Sequence, residues 1–269
     1  MKGMSASVNQ TENFGNAGNP GVRFAIVTGA SAGIGAAAAE LLAQDGWHVI
    51  LAARREKKLR EVADRINAKQ PDHGIVLAVD VTDGESVERF AENVKEVVGQ
   101  APGGSLELLV NNAGGARGFE PILETDPEDW RWMFEANVMG TLEVTRAIFP
   151  QLENGNAPQV INVVSVAGRG AYRNGAGYNA AKFGETALTD VMRMEFAEHN
   201  VRVCQVDPGR VATDFSINRF KGDTERAAEV YADKLNLVAE DIGEVIRWIA
   251  DRPAHMDVES IMIRPLDQV

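Results

Sequence analysis

Seven short runs of Val, Ile, Leu and Ala recur along the chain, each followed by a longer mixed stretch: RFAIVTG from Arg23, WHVILAA, GIVLAVD, LELLVNN, QVINVVS, VRVCQVD and ESIMIR. A run that is apolar at successive positions reads as a strand covered on both faces, and such strands belong to parallel sheets. Parallel neighbours need crossovers, and the stretches between the runs have helical punctuation. GIGAAAAELLAQDG closes on Gly46 as a C′ residue; TDGESVERFAENVKEVVG places Thr82 and Glu85 at capping-box spacing; Asp126 followed by Pro127 reads as an N-cap and first turn. Regular alternation of this kind predicts an α/β chain with a doubly wound, seven-stranded parallel sheet and helices on both faces.

The 269 residues, 45% apolar and 25% charged, suit one domain from 21 to 269 without a linker. Residues 1–20 are rich in Asn, Gly and Ser, lack the apolar segment of a signal peptide, and are expected to form a flexible tail. The stretch from Phe215 to Leu235 interrupts the alternation just past a strand's carboxyl end, where either a substrate lid or a plain crossover helix would stand. A net charge of −12 would repel nucleic acid and anionic membrane surfaces, and no apolar run reaches spanning length. One cysteine, Cys204, offers no disulfide and reads as a buried strand residue. The four histidines are scattered, so no metal is expected.

The first strand runs directly into TGASAGIG and then a helix. Gly29, Gly33 and Gly35, with Ser31 and Ile34 between them, would let a pyrophosphate approach free N–H groups at the helix start, the arrangement of a Rossmann-type dinucleotide site. The spacing is G-x3-G-x-G, and no Gly-Lys-Ser/Thr follows to suggest a nucleoside triphosphate. The second strand ends on Arg54 and Arg55, where an acidic residue would hold the ribose diol of NAD. A guanidinium there pairs with a 2′-phosphate, so NADP(H) is the expected cofactor; the bland alternative is a solvated basic helix start. Asp80, with Val81 beside it, closes the third strand as a candidate acceptor for an adenine amino group. Asn112, Ala113 and Gly114 close the fourth, where small residues would lie against the cofactor.

Tyr178 and Lys182 in GYNAAKFG are four apart, on one helix face. Ser165 ends the fifth strand thirteen residues earlier, so both hydroxyls can converge at the carboxyl edge of the sheet. A phenol needs its pKa lowered by about three units, roughly 4 kcal/mol, to act as a base near neutrality. Lys182 and an oxidised nicotinamide would supply that; Ser165 would hold the substrate oxygen.

With TGASAGIG, NNAG, SVAGRGAYRNGAGYNAAK and DPGRVAT in this order and spacing, the chain resembles the short-chain dehydrogenase/reductase family over residues 22–264. The resemblance implies a tetrad of Asn137, Ser165, Tyr178 and Lys182, with Asn137 fixing a water of the proton relay. It also implies a turn over the nicotinamide at Pro208 and Gly209, cofactor contacts from Val211 and from Thr213, the latter on the carboxamide or phosphate side, and a cytoplasmic homo-oligomer, often a tetramer. FSINRFKGD and DRPAHM look like the NADP-dependent 3-hydroxy acid dehydrogenases that act on serine and allo-threonine. Such a substrate needs a cation for its carboxylate, and Arg117, Arg173, Arg210, Arg219 and Lys221 all qualify by position. The alternatives are reduction of a 3-ketoacyl thioester or another ketone, and a silent NADPH sensor.

Overall fold

Each of the seven apolar runs forms a strand in the computed structural model, which describes residues 21–268. The predicted tail, residues 1–20, lies outside the described residues. The strands are β1 (Arg23–Thr28), β2 (His48–Ala53), β3 (Gly74–Ala78), β4 (Ser105–Asn111), β5 (Gln159–Val163), β6 (Arg202–Pro208) and β7 (Ser260–Ile263). They build one parallel sheet in the order β3-β2-β1-β4-β5-β6-β7. The direction of winding reverses between β1 and β4, and the crevice at their carboxyl ends is where such sheets take ligands.

The helices are α1 (Gly33–Gln44), α2 (Glu56–Asn67), α3 (Gly84–Gln100), α4 (Pro127–Phe134), α5 (Gly140–Leu152), α6 (Ala176–Phe196), α7 (Phe215–Arg219), α8 (Thr224–Glu229) and α9 (Ala239–Ala250). One face of the sheet is covered by α1, α2 and α9, with Leu42, Leu59, Ile246 and Ile249 fully buried; the other by α3, α5 and α6, with Phe90, Val94, Ile148 and Leu152. Each such side chain contributes about 1.5–3 kcal/mol through burial. Helices α1 and α9 approach closely because the contact is made of small residues: a Cβ on Gly243 would stand 2.8 Å from Leu41 Cδ1 and 3.2 Å from the α1 backbone.

Gly46 at φ 85° follows the end of α1, and Asp126 caps α4 by accepting from Glu128 N. The cap expected at Thr82 moves one residue on: Asp83 is the N-cap of α3 and accepts from Glu85 N and Ser86 N. Thr82 is instead drawn back to Asp80, donating its hydroxyl and its N–H to Asp80 Oδ1 at 2.8 and 3.1 Å. A carboxylate two residues away competes successfully for both groups.

Two buried polar clusters fix the strands that carry the site. Asn111 Nδ2 donates to Thr145 Oγ1 and Asn162 Oδ1, and Asn162 Nδ2 donates to Thr189 Oγ1, all at 2.9 Å, which locks α5 and α6 against β4 and β5. Asp207 at the end of β6 accepts from Arg169 Nε and Gln205 Nε2 at 2.8 Å and from Ser165 N at 3.3 Å. Cys204 is fully buried in β6, and burial pushes its thiol up to about 12.

Candidate active site

Two cavities, of about 390 and 410 Å³, lie side by side along the carboxyl edge of the sheet and share Ile34, Asn112, Gly114, Gly115, Thr213 and Phe215 as walls. They form one cleft, running from the ends of β1–β3 to the ends of β5 and β6.

At the first end, Gly29 adopts φ 66°, open to glycine and strained for other residues, so the chain can turn from β1 into α1. A Cβ on Gly35 would meet Asn112 Nδ2 at 2.5 Å and Gly29 O at 2.6 Å. Gly35 therefore serves the close approach of loop and β4 and does not itself line the cleft, whereas Gly29, Ser31, Gly33 and Ile34 do. The α1 N-terminus has no side-chain cap and no acidic residue in its first turn, which leaves its N–H groups for an anionic ligand. Arg54, Arg55, Asp80, Val81 and Ala113 complete this end. Arg55 Nη2 donates to Ser31 Oγ at 2.9 Å. The Arg54 guanidinium is 61% exposed and 4.0 Å from Asp80 Oδ2. Two guanidiniums and a hydroxyl thus stand at one rim, a donor set that fits a phosphate, with the Asp80 carboxylate beside Arg54.

The second cavity holds Ser165, Tyr178 and Lys182, each buried. Lys182 Nζ lies 5.9 Å from the Tyr178 ring centroid, donates to Val163 O at 3.2 Å, and meets Glu185 Oε2 at 2.6 Å. Ser165 Oγ accepts from Ala167 N at 3.1 Å and faces Pro208 O at 3.4 Å. Burial raises the Tyr178 phenol above its ordinary value; the Lys182 charge and the Ser165 hydroxyl pull the other way without overcoming it. The lowering expected from the sequence draws on Lys182 together with an oxidised nicotinamide; of these Lys182 is in place, and by itself it does not offset the burial of the phenol. Burial also opposes the Lys182 charge, yet Glu185 and Tyr178 outweigh it and hold the ammonium above the usual lysine range.

Asn137 sits in a π-helical turn, Glu135–Met139, between α4 and α5. It lines neither cavity. Its side chain accepts from Gly115 N at 3.1 Å and donates to Gly115 O at 2.9 Å and Met133 O at 2.6 Å, so it braces the wall the two cavities share. Pro208, Gly209, Val211 and Thr213 line the cavity that holds Tyr178.

The segment after β6 folds over this cavity as α7 and α8, presenting Phe215, Ser216, Arg219, Phe220, Val230 and Tyr231 to it. Of the five candidate cations, the structure distinguishes one. Arg173 is exposed and away from the cavity; Arg117 stacks on Trp132 at 3.9 Å; Lys221 pairs with Asp129 at 2.8 Å. Arg210 lines the cavity but is tied to Asn236, Leu235 O and Asp267. Arg219 is buried in the wall, donates to Gly118 O at 3.0 Å and Tyr172 Oη at 3.1 Å, and has a buried Nη2 without a partner. Its guanidinium carbon is 5.7 Å from the Tyr178 ring centroid.

Residues 23–224 match the short chain dehydrogenase family. The chain belongs to that family. As a short-chain dehydrogenase it is an oxidoreductase, and it is 43% identical over 246 residues to an uncharacterized oxidoreductase of Mycobacterium tuberculosis, covering 91% of this chain and 92% of that one. It is 35% identical to sulfoacetaldehyde reductase 2 of Chromohalobacter salexigens, covering 90% and 94%. Among solved structures it is similar to the closed form of serine dehydrogenase complexed with NADP+, at 32% identity and a TM-score of 0.82, covering 91% and 96%.

Two residues of this short-chain dehydrogenase's site escape reading from sequence. Arg219 stood among five equivalent cations until burial and the lack of a partner separated it. Glu185 went unremarked, although its place three residues after Lys182 on the same helix face was there to find.

Proposed function

We propose that the protein is an NADP(H)-dependent oxidoreductase interconverting a ketone and a secondary alcohol on a small anionic substrate, with a 3-hydroxy acid such as serine or allo-threonine the preferred class. The observation that carries the substrate class is the unpartnered Nη2 of Arg219, buried in the cavity wall beside the Tyr178 ring. A buried guanidinium nitrogen without an acceptor is costly, and a small shift of the α7–α8 segment would let a carboxylate or sulfonate in the cavity satisfy it by a charge-assisted hydrogen bond. The 3-hydroxy acid is favoured by the likeness to serine dehydrogenase; a sulfonate-bearing carbonyl is the second reading, favoured by the likeness to sulfoacetaldehyde reductase.

The dinucleotide would be held by the Gly29–Gly35 loop, by Arg54, Arg55 and Ser31 at the 2′-phosphate, by Asp80 and Val81 at the adenine, and by Asn112, Ala113, Gly114, Pro208, Gly209, Val211 and Thr213 along the cleft. Bound there, it supplies or accepts the hydride. Ser165 orients the substrate oxygen. Tyr178, protonated near neutrality because burial raises it, gives its proton to the oxygen of a ketone undergoing reduction; in the reverse direction its phenolate takes the proton of the alcohol. Lys182 keeps a positive charge beside the phenol and steadies the phenolate as it forms. Asn137 acts by holding Gly115 in the wall. The segment from Phe215 to Leu235 closes the cavity from solvent as a lid. Exposed Phe183, Val191 and Met194 on α6 support the homo-oligomer expected from the family resemblance. Among the described residues, no helix is long and apolar enough to cross a membrane.

The test is absorbance of NADPH during reduction of 3-oxo acids, sulfoacetaldehyde, a 3-ketoacyl thioester and neutral ketones, repeated with Tyr178→Phe. Turnover concentrated on the anionic substrates, falling by orders of magnitude in the variant while NADPH binding persists, is the expected outcome. Retained turnover in the variant would overturn the mechanism, and a preference for the thioester would overturn the substrate class.

A further inference from the structure

Glu185 is a carboxylate 1% exposed, one helical turn beyond Lys182, with Oε2 at 2.6 Å from the ammonium and Oε1 at 3.3 Å from the Thr141 hydroxyl of α5. Taking a carboxylate out of water is expensive, and replacing a buried ion pair as a whole by apolar side chains of similar volume is often neutral or stabilising. The pair is therefore poorly explained as a device for holding the fold together. Its geometry concerns the reaction instead, because the ammonium it grips is the one that faces Tyr178. Of the three Lys182 donors, one goes to Glu185 and one to Val163 O, which leaves a single N–H for the cavity side.

We propose that Glu185 is a positioning residue of this site: it anchors the Lys182 ammonium and tempers the positive charge that Tyr178 feels, so that the phenol serves as a proton donor over a wider pH range. The proposal rests on the assignment of Tyr178 as the group that exchanges the proton. The charged and titratable groups around the pair are few. Lys182 and Tyr178 share its helix; Thr141 approaches from α5; Asp207 approaches from β6, with its own carboxylate already engaged by Arg169 at 2.8 Å. Burial raises the Glu185 carboxyl, while Lys182 and Thr141 favour its charged form. The negative charge of Glu185 works to raise both the Lys182 ammonium and the Tyr178 phenol.

The sign follows. With Lys182 still protonated, removing the carboxylate charge leaves the ammonium uncompensated, stabilises the phenolate, and makes the phenol a stronger acid; since burial opposes the lysine charge, an alkaline displacement instead would mean that Lys182 has lost its proton and would overturn the proposal. The equilibrium between alcohol and ketone is untouched; what moves is the pH range over which each direction runs. Oxidation, which needs phenolate, should begin at lower pH, and reduction, which needs the phenol, should fail at lower pH.

The experiment is the pH profile of kcat/KM in both directions for the parent enzyme, Glu185→Gln and Glu185→Asp, with melting temperature recorded for each. Gln retains the shape and an acceptor for Lys182. Asp retains the charge but withdraws it by one methylene. The rising limb of oxidation should move acid-ward in Glu185→Gln, giving about a three- to tenfold higher rate relative to plateau at a pH on the parent limb, with Glu185→Asp displaced in the same sense by less. Should the Gln variant fail to fold, the Asp profile decides alone. A lowered melting temperature with limbs that stay in place would overturn the proposal and reduce Glu185 to a structural counter-ion. Loss of turnover in Tyr178→Phe is read separately, so an unmoved Glu185 profile leaves the assignment of the proton donor intact.

Discussion

Replacing Arg219 with Met should change what the enzyme selects more than how fast it can work. The guanidinium makes two internal hydrogen bonds, to Gly118 O and to Tyr172 Oη, and these tie α7 to the loop after β4 and to the segment before α6. Their loss costs about 1 kcal/mol each and loosens the lid for any substrate. The unpartnered Nη2 is different, since only a substrate with an anionic group uses it. A hydrogen bond to a charged group is worth about 1.5–3 kcal/mol, which is roughly a 10- to 150-fold change in kcat/KM. The informative quantity is the ratio of kcat/KM for a 3-hydroxy acid to that for a neutral secondary alcohol of similar size, measured by NADPH formation, because lid loosening divides out of it. That ratio should fall by about 10- to 100-fold in Arg219→Met and by less in Arg219→Lys, which keeps the charge but not the planar fork. A ratio unchanged within about twofold, or an equal fall for both substrates, would refute the anion-anchor role.

Arg54→Asp puts a carboxylate at the phosphate rim, and the NADPH/NADH preference should drop by tenfold or more, about 1.4 kcal/mol or above; an unchanged preference would show that Arg54 is a solvated surface residue. Cys204 gives the protein an alkaline weakness. Its thiol is held neutral by burial up to about 12 against an ordinary value near 9, so the contribution is complete below pH about 9 and is lost as pH rises toward 12. Up to about 4 kcal/mol is at stake. Melting temperatures of the parent and Cys204→Ala between pH 8 and 11 should converge as pH rises, and parallel curves would rule the thiol out as the cause.

The apolar runs made the sheet legible because a strand buried on both faces, as β1, β2, β4, β5 and β6 are, leaves a local record of successive apolar side chains; the edge strands β3 and β7 carry apolar runs but are only partly covered. The Gly29–Gly35 loop and the spacing of Ser165, Tyr178 and Lys182 were legible for a similar reason, since chemistry along one strand end or one helix face is written in short intervals. The α3 cap falls on Asp83 and not on Thr82 because Asp80 engages both the hydroxyl and the N–H of Thr82, leaving the Asp83 carboxylate to accept from the first turn of α3.

Long-range encounters decided the rest. Arg219 is set apart from four other cations by Gly118 and Tyr172, which lie 101 and 47 residues away in sequence. Asn137 braces Gly115 across 22 residues, where a tetrad place alone says nothing of which atoms it uses. The state of Tyr178 depends on how completely α6, the loop after β5 and α7 exclude water from it, and among the protein groups burial outweighs Lys182. Residue identity and spacing are local properties, so the sequence alone determined the fold class and singled out the candidate reacting groups. Desolvation and the partnering of buried charge exist only once distant segments have packed, so the tertiary structure decided how far water is kept from Tyr178, which of the cations is buried with an unpartnered nitrogen, and that a carboxylate stands behind Lys182.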